Sequence, residues 1–336
     1  LRFVYLIFFL TGISGLIYQT VWLRILSRIL GSTVEASSIT ISAFMLGLSL
    51  GSFFIGRYSL KKEKLFQLYA LLELGIAISA LIVFFLFGQL VPVYRAIFEI
   101  VNENVFLFRL FQAVILFTLI VIPTFLMGGT LPVLCSAMIS NEPTFTKLTG
   151  YLYGLNTLGA MAGVLLSGFF TIGIFGELNT MYIGVVINLL AGTVVLILAR
   201  KRQLIKTPDA TLEISQKGSK TKPETISVFP EPTRKFIVAA YAVVGFCTLA
   251  LEVVWIRIFQ LPLGTAIYAF SAVLTIYLGG SALGSYVFGK HFTQIKSPVE
   301  TAALAILFIG LWGIAGLHFF SAAVPWQVDP NIIFDV

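Results

Sequence analysis

The amino-acid sequence predicts an all-α, polytopic transmembrane helix bundle built on a parallel internal repeat. Three observations carry that expectation. Hydrophobic residues make up 58% of the 336 positions and charged residues 11%, whereas an ordinary soluble domain is about 25% charged. The apolar stretches reach or exceed the ~20 residues that a helix needs to cross a bilayer. Residues 12–56 and 245–289 also align without a gap at an offset of 233, with 15 identities in 45 positions. The identities include Trp22/Trp255, Arg24/Arg257, Gly31/Gly264, Gly47/Gly280, Gly51/Gly284 and Gly56/Gly289. An apolar block that recurs in this way is the sequence mark of a bundle made of duplicated halves.

Nine spans are expected, at 3–28, 34–56, 65–91, 106–138, 148–174, 178–199, 236–260, 266–289 and 300–323. The first is too long for a signal-peptide core and has no small-residue cleavage site behind it. It also belongs to the repeat, so it is read as part of the mature protein. The second carries Ala43, Gly47 and Gly51, and the fifth Gly159, Gly163 and Ser167, each at intervals of four. Small residues at that spacing let helix backbones approach closely. Gly47, Gly51, Gly159, Gly163, Gly280 and Gly284 are therefore predicted helix-packing positions. The fourth holds Pro123, Gly128, Gly129 and Pro132, which predicts a kink. Asn156 of the fifth is read as an amide bonding another helix. The seventh and eighth restate the first and second.

Between the sixth and seventh spans, 200–235 is polar, holds four of the twelve prolines and has no apolar stripe. It is read as a solvated linker. The expected organisation is a first helical half over 1–199, this linker, a partial second half over 236–323 and a tail over 324–336.

The formal charge of +7 is read as topology, not as a nucleic-acid signal. Arg57, Lys61, Lys62 and Lys64, the nine basic residues of the linker, and Lys290 and Lys296 fall on one side if nine helices alternate. The positive-inside rule makes that side cytoplasmic. The N-terminus and linker are then cytoplasmic and the tail external, as in a multi-pass protein of a bacterial inner membrane. Six helices, a cytoplasmic linker and a parallel second copy form the layout of a major facilitator bundle. Three helices of its second half are missing, and the polypeptide is expected to continue past Val336. Cys135 and Cys247 lie in apolar segments and are read as small buried hydrophobes.

Gln19-x-x-Trp22-x-Arg24 and Glu252-x-x-Trp255-x-Arg257 occupy matching places late in the first and seventh spans. Ionisable groups inside a membrane are costly and face a cavity or a partner. Two readings stand side by side. In one, the two spans face each other across a central cavity and these six residues bind substrate, with Glu252 holding a cation or a proton. In the other, they bond neighbouring helices and hold the halves together. His291 and His318 fall on opposite sides of the membrane, so no shared metal or haem site is expected. There is no Walker loop, no Ser/His/Asp set and no Gly-rich turn for a nucleotide or S-adenosyl donor. No catalytic residue and no cofactor are assigned.

The segments SGLIYQTVWLRIL, FMLGLSLGSFFIGR, MGGTLPVL, GYLYGLNTLGAMAGVLLSGFF and LALEVVWIRIF resemble the membrane part of bacterial fused major facilitator–spermidine synthase proteins. The likeness covers nearly the whole chain outside the linker. It implies a bundle joined to a Rossmann-type aminopropyltransferase-like domain. That domain would move an aminopropyl group from decarboxylated S-adenosylmethionine to a diamine held by acidic residues. None of it lies in these 336 residues, so its catalytic residues have no counterpart here. The chain departs from ordinary facilitators in lacking an Asp between Gly51 and Arg57, and likewise between Gly284 and Lys290. Three functions follow: the membrane domain of a spermidine synthase-like protein that anchors or presents a cationic substrate, a facilitator-type transporter of a small solute, or a non-catalytic integral subunit of a larger complex. The expected partners are the lipid bilayer, other membrane subunits, and a polyamine or other small cation, with no nucleic acid.

Overall fold

The computed structural model describes residues 2–60, 64–101, 104–138, 142–201, 231–291 and 298–323. The predicted tail and most of the predicted linker lie outside the described residues. Among the described residues there is no strand, and ten α-helices follow one another. They are α1 (Arg2–Leu30), α2 (Thr33–Ser59), α3 (Leu65–Gly88), α4 (Leu90–Ile100), α5 (Val105–Met138), α6 (Glu142–Leu166), α7 (Ile172–Arg200), α8 (Glu231–Leu263), α9 (Ala266–His291) and α10 (Pro298–Ala323). Seven helical stretches among them are long and apolar enough to cross a membrane. The chain is thus a multi-pass helical membrane protein.

The repeat is visible in the turns. Gly31 ends α1 with φ +67° and Gly264 ends α8 with φ +71°, a left-handed conformation that glycine adopts without a Cβ penalty. In both turns the glycine N–H returns to the carbonyl four residues back, Ser27 in one and Gln260 in the other. The next residue then caps the following helix. The Ser32 hydroxyl accepts from the Glu35 N–H at 3.3 Å, and the Thr265 hydroxyl from the Tyr268 N–H at 3.4 Å, each satisfying an orphan helix donor.

Packing follows the small residues where they have a partner. α2 lies parallel to α5: a Cβ on Gly47 would collide with the Thr124 side chain, and one on Gly51 with the Phe125 carbonyl. α6 lies parallel to α1, with Gly159 against the backbone of Phe9 and Gly163 against that of Ile13. Asn156 faces Gly12 of α1 through its carbonyl and Oδ1, which makes it an interhelical contact. α5 runs as one helix through Pro123 and Pro132. Gly280 and Gly284 differ from their counterparts: both are exposed and meet nothing within 4 Å. The other face of α9 packs on α6 and on the turn that follows it: Gly279 meets the Met161 sulfur of α6, and Gly168 just beyond α6 receives the Ser271 side chain. The expectation of close packing at Gly280 and Gly284 is corrected accordingly, because no described helix covers that face.

Two further elements depart from the sequence reading. α4 was expected as the end of a span and a loop, but it is an eleven-residue helix, too short to cross. It buries Leu90 and Tyr94 and sets Tyr94 and Phe98 edge-on to Phe108 at 6.1 and 5.2 Å. Arg95 and Glu99 remain exposed, as in a helix lying along an interface. α6 passes through a π-helical turn, Ser167–Thr171, into α7, and the chain reverses at Gly176 (φ +78°, ψ 175°). Beyond that break α7 runs antiparallel to α1, with Glu177 near Arg24 and Asn188 near Tyr18. The apolar stretch Leu148–Arg200 therefore makes two passes, as the fifth and sixth spans predict. Both cysteines are free; Cys135 is buried, whereas Cys247 is exposed, which corrects its reading as a buried group.

Candidate functional site

The two copies of the Gln/Glu-x-x-Trp-x-Arg motif have different surroundings. In α1, Gln19 and Trp22 belong to the core of the first half. Trp22 is fully buried and stacks on Tyr18, with ring centroids 5.8 Å apart and planes 18° apart. Neither Gln19 Nε2 nor Trp22 Nε1 donates a hydrogen bond. Arg24 Nε donates to Glu177 Oε1 at 2.8 Å, and Arg28 pairs with the other oxygen of the same carboxylate. Glu177 follows the Gly176 break, so the two arginines clamp the start of the α7 return onto the end of α1.

In α8 the same motif faces a cavity of about 520 Å³ between α8, α9 and α10. Thr248, Leu251, Glu252, Trp255 and Phe259 line it from α8; their spacing of three and four places them on one helix face. α9 adds Val273, Ile276 and Tyr277. α10 adds Phe308, Ile309 and Trp312, together with Gly313 and Gly316. Gly316 makes room for the Trp255 ring, whose edge lies 3.3 Å from where a Cβ would stand. Trp255 meets Phe259 edge-on at 6.1 Å, and Trp312 stacks on Phe308 at 6.1 Å.

Glu252 is the one carboxylate on this wall. It is 5% exposed, and both of its oxygens lack a hydrogen-bond partner. A buried ionised carboxylate is costly unless a counter-charge or hydrogen bonds compensate it. Arg257 does not do so: it is exposed and reaches Gln260 Oε1 at 3.4 Å. Gln260 also accepts from Thr33 of α2 at 3.2 Å, so this end of α8 ties the halves together. Among the described residues, the cavity thus combines a carboxylate with no counter-charge and aromatic walls. That chemistry suits an organic cation, whose charge meets the carboxylate and the electron-rich ring faces while its hydrocarbon contacts the apolar lining.

Of the six motif residues predicted to bind substrate, Glu252 and Trp255 line this cavity. Gln19 and Trp22 are buried in the first half, Arg24 is a helix clamp and Arg257 lies near the C-terminal end of α8. α1 packs mainly on α6, α7 and α2, and α8 on α9.

A second polar cluster was not singled out from the sequence. Glu73 of α3, Asn188 of α7 and Tyr18 of α1 are all buried. Asn188 Nδ2 donates to Glu73 Oε2, and the Tyr18 hydroxyl donates to Asn188 Oδ1 at 2.9 Å. The available signal was a lone acid in the apolar run LLELGIA, which is a functional candidate by position alone. Asn188 lies 115 residues from Glu73 and 170 from Tyr18 along the chain, so the sequence offered no means of pairing them.

None of the protein-family models, curated proteins or solved structures compared with the chain matches it.

Proposed function

We propose that the chain is a membrane-embedded domain that binds a small organic cation, of the polyamine class, in the α8–α10 cavity, and presents it without performing a catalytic step itself. The observation that carries this reading is Glu252, buried among aromatic side chains with neither oxygen engaged. A protonated amine supplies the missing counter-charge, Trp255 and Trp312 supply ring faces, and the alkyl spacer of a diamine matches the apolar lining. The resemblance to fused spermidine synthase proteins supports the same substrate class. In this reading the basic residues near 57–64 and in 200–235 hold those segments on the cytoplasmic side of a bacterial inner membrane, where a polyamine-handling domain would work.

The test is equilibrium binding of radiolabelled spermidine to the chain in lipid nanodiscs. Wild type binds, Glu252→Gln loses at least tenfold in affinity, and Trp255→Leu loses about 2- to 30-fold, the range of a cation–π contact. Equal binding by wild type and Glu252→Gln returns Glu252 to a structural role. One observation favours a second reading, an integral subunit of a larger assembly: the open face at Gly280 and Gly284 together with the exposed apolar surface of α10. Purification of the chain with other helical subunits, without spermidine binding, would favour that reading.

A further inference from the structure

We propose that Glu73 is a proton-binding site of the first helical half, held as the neutral acid where α1, α3 and α7 meet. Asn188 turns its N–H towards Glu73 Oε2 and spends its oxygen on the Tyr18 hydroxyl. The other carboxyl oxygen, Oε1, has no partner, and neither has the fully buried Tyr69 hydroxyl one turn earlier on α3. The Thr11 hydroxyl of α1 is committed to the Phe8 carbonyl at 3.2 Å. The carboxyl of Glu73 therefore receives a single N–H, from Asn188, and its Oε1 stays empty. A neutral carboxyl tolerates that inventory, whereas a buried carboxylate needs its lone pairs filled or a counter-charge beside it.

The charge environment points the same way. Tyr18 and Thr11 face the cluster from α1, Asn188 from α7 and Tyr69 from α3 itself, while α5 places Leu126 against the neighbouring Gly75. Among the described residues no ion pair includes Glu73. Arg24 and Arg28 are held by Glu177, and Arg109 by Glu35. A carboxylate so placed would carry an uncompensated charge in an apolar bundle. A metal ion fits less well than a proton, because the amide presents its N–H to the carboxyl and its oxygen elsewhere. Gly184 and Gly192 bring α7 against Tyr18 and against the Ala70 carbonyl, so loss of the proton would place a charge where three backbones are close. The proton comes from water and returns to it, and no other bond changes.

The test is infrared spectroscopy of the whole chain in nanodiscs at neutral pH, reading the carbonyl band of protonated carboxyl groups. Because Glu252 is also a buried carboxyl, the comparison is made in the Glu252→Gln background, where the expected result is a band that the added Glu73→Gln removes. A band unchanged by that addition, or absent from the background, overturns the proposal. Should the double variant not fold, Glu252→Gln grown with carboxyl-labelled glutamate decides it, because a protonated Glu73 shifts the band with the label and an ionised one leaves no band to shift. Thermal stability gives a second readout: glutamine is neutral and can still accept from Asn188, so Glu73→Gln matches wild type and Glu73→Ala does not. Equal destabilisation by the two substitutions would mean that the ionised form is required.

Discussion

Replacing Gly51 and Gly284 in turn by alanine makes the same chemical change at matching positions of the repeat, and the structure gives the two changes opposite signs. Each substitution gains helix propensity, about 0.8–1.0 kcal/mol for alanine over glycine inside a helix. At Gly284 nothing lies within 4 Å of the new methyl group, so that gain is kept and the variant is stabilised by about 0.5–1 kcal/mol. At Gly51 the methyl would collide with the Phe125 carbonyl oxygen and stand 3.1 Å from the Gly128 Cα. Both neighbours are backbone of α5, so no side chain can turn away and the two helices must separate. Overpacking of this kind costs about 1–3 kcal/mol, which outweighs the propensity gain and leaves Gly51→Ala destabilised by up to about 2 kcal/mol. The measurement is thermal unfolding of the two variants and wild type in the same detergent, followed by the loss of monodisperse protein. Tm should fall for Gly51→Ala and hold or rise for Gly284→Ala. Equal shifts in one direction would refute the reasoning, because the α2–α5 contact would then contribute nothing that α9 lacks.

Three other outcomes follow from the structure. Gly176→Ala should destabilise the bundle by about 1–3 kcal/mol through backbone strain alone, since φ +78° with ψ 175° suits glycine while the space around it is open; a neutral result in the same thermal assay would mean that the chain reverses elsewhere. Tyr18→Phe keeps the ring stacked on Trp22 and removes only the bond to Asn188, so it should cost about 1 kcal/mol, and full retention of Tm would remove that bond from the account. Glu177→Gln releases both Arg24 and Arg28; for half-exposed pairs the loss is about 0.5–1 kcal/mol each at most, and raising the salt concentration should narrow the gap between variant and wild type.

Much of the fold was legible because the bilayer simplifies the problem. Long apolar runs must be helices there, since no water is available to satisfy a backbone left unpaired. The break between the fifth and sixth spans was marked by Phe175-Gly176-Glu177, a glycine and a charge in an otherwise apolar run. α4 was missed because eleven residues with both apolar and charged members look like a loop when only spanning lengths are sought. The glycine ladder was legible as a tendency but not as a set of contacts: Gly47 and Gly280 are chemically identical, and only the presence of α5 distinguishes them. At the candidate site, Glu252 and Trp255 stood out because the repeat drew attention to them. Phe308 and Trp312, which complete the aromatic wall, carry no mark in the sequence beyond being apolar residues of a helix. Glu73 was visible as a lone acid, but the hydrogen bonds that give it meaning come from α1 and α7, and contacts between distant segments leave no local signature.

The placement of α6 has a mechanical consequence. One side of this helix meets α1 through Gly159 and Gly163; the other meets α9 through Gly154, and the π-turn that continues it meets α9 through Gly168. At both seams backbones and short side chains are in direct contact, with few long flexible groups between them to absorb a shift. α6 is therefore a stiff lever shared by the two halves. The π-turn Ser167–Thr171 lies at the end of the lever nearest the reversal at Gly176. On the proposed reading, a cation that tilted α9 as it settled beside Glu252 would pass that tilt to α1, where Tyr18 and Trp22 stand, through α6.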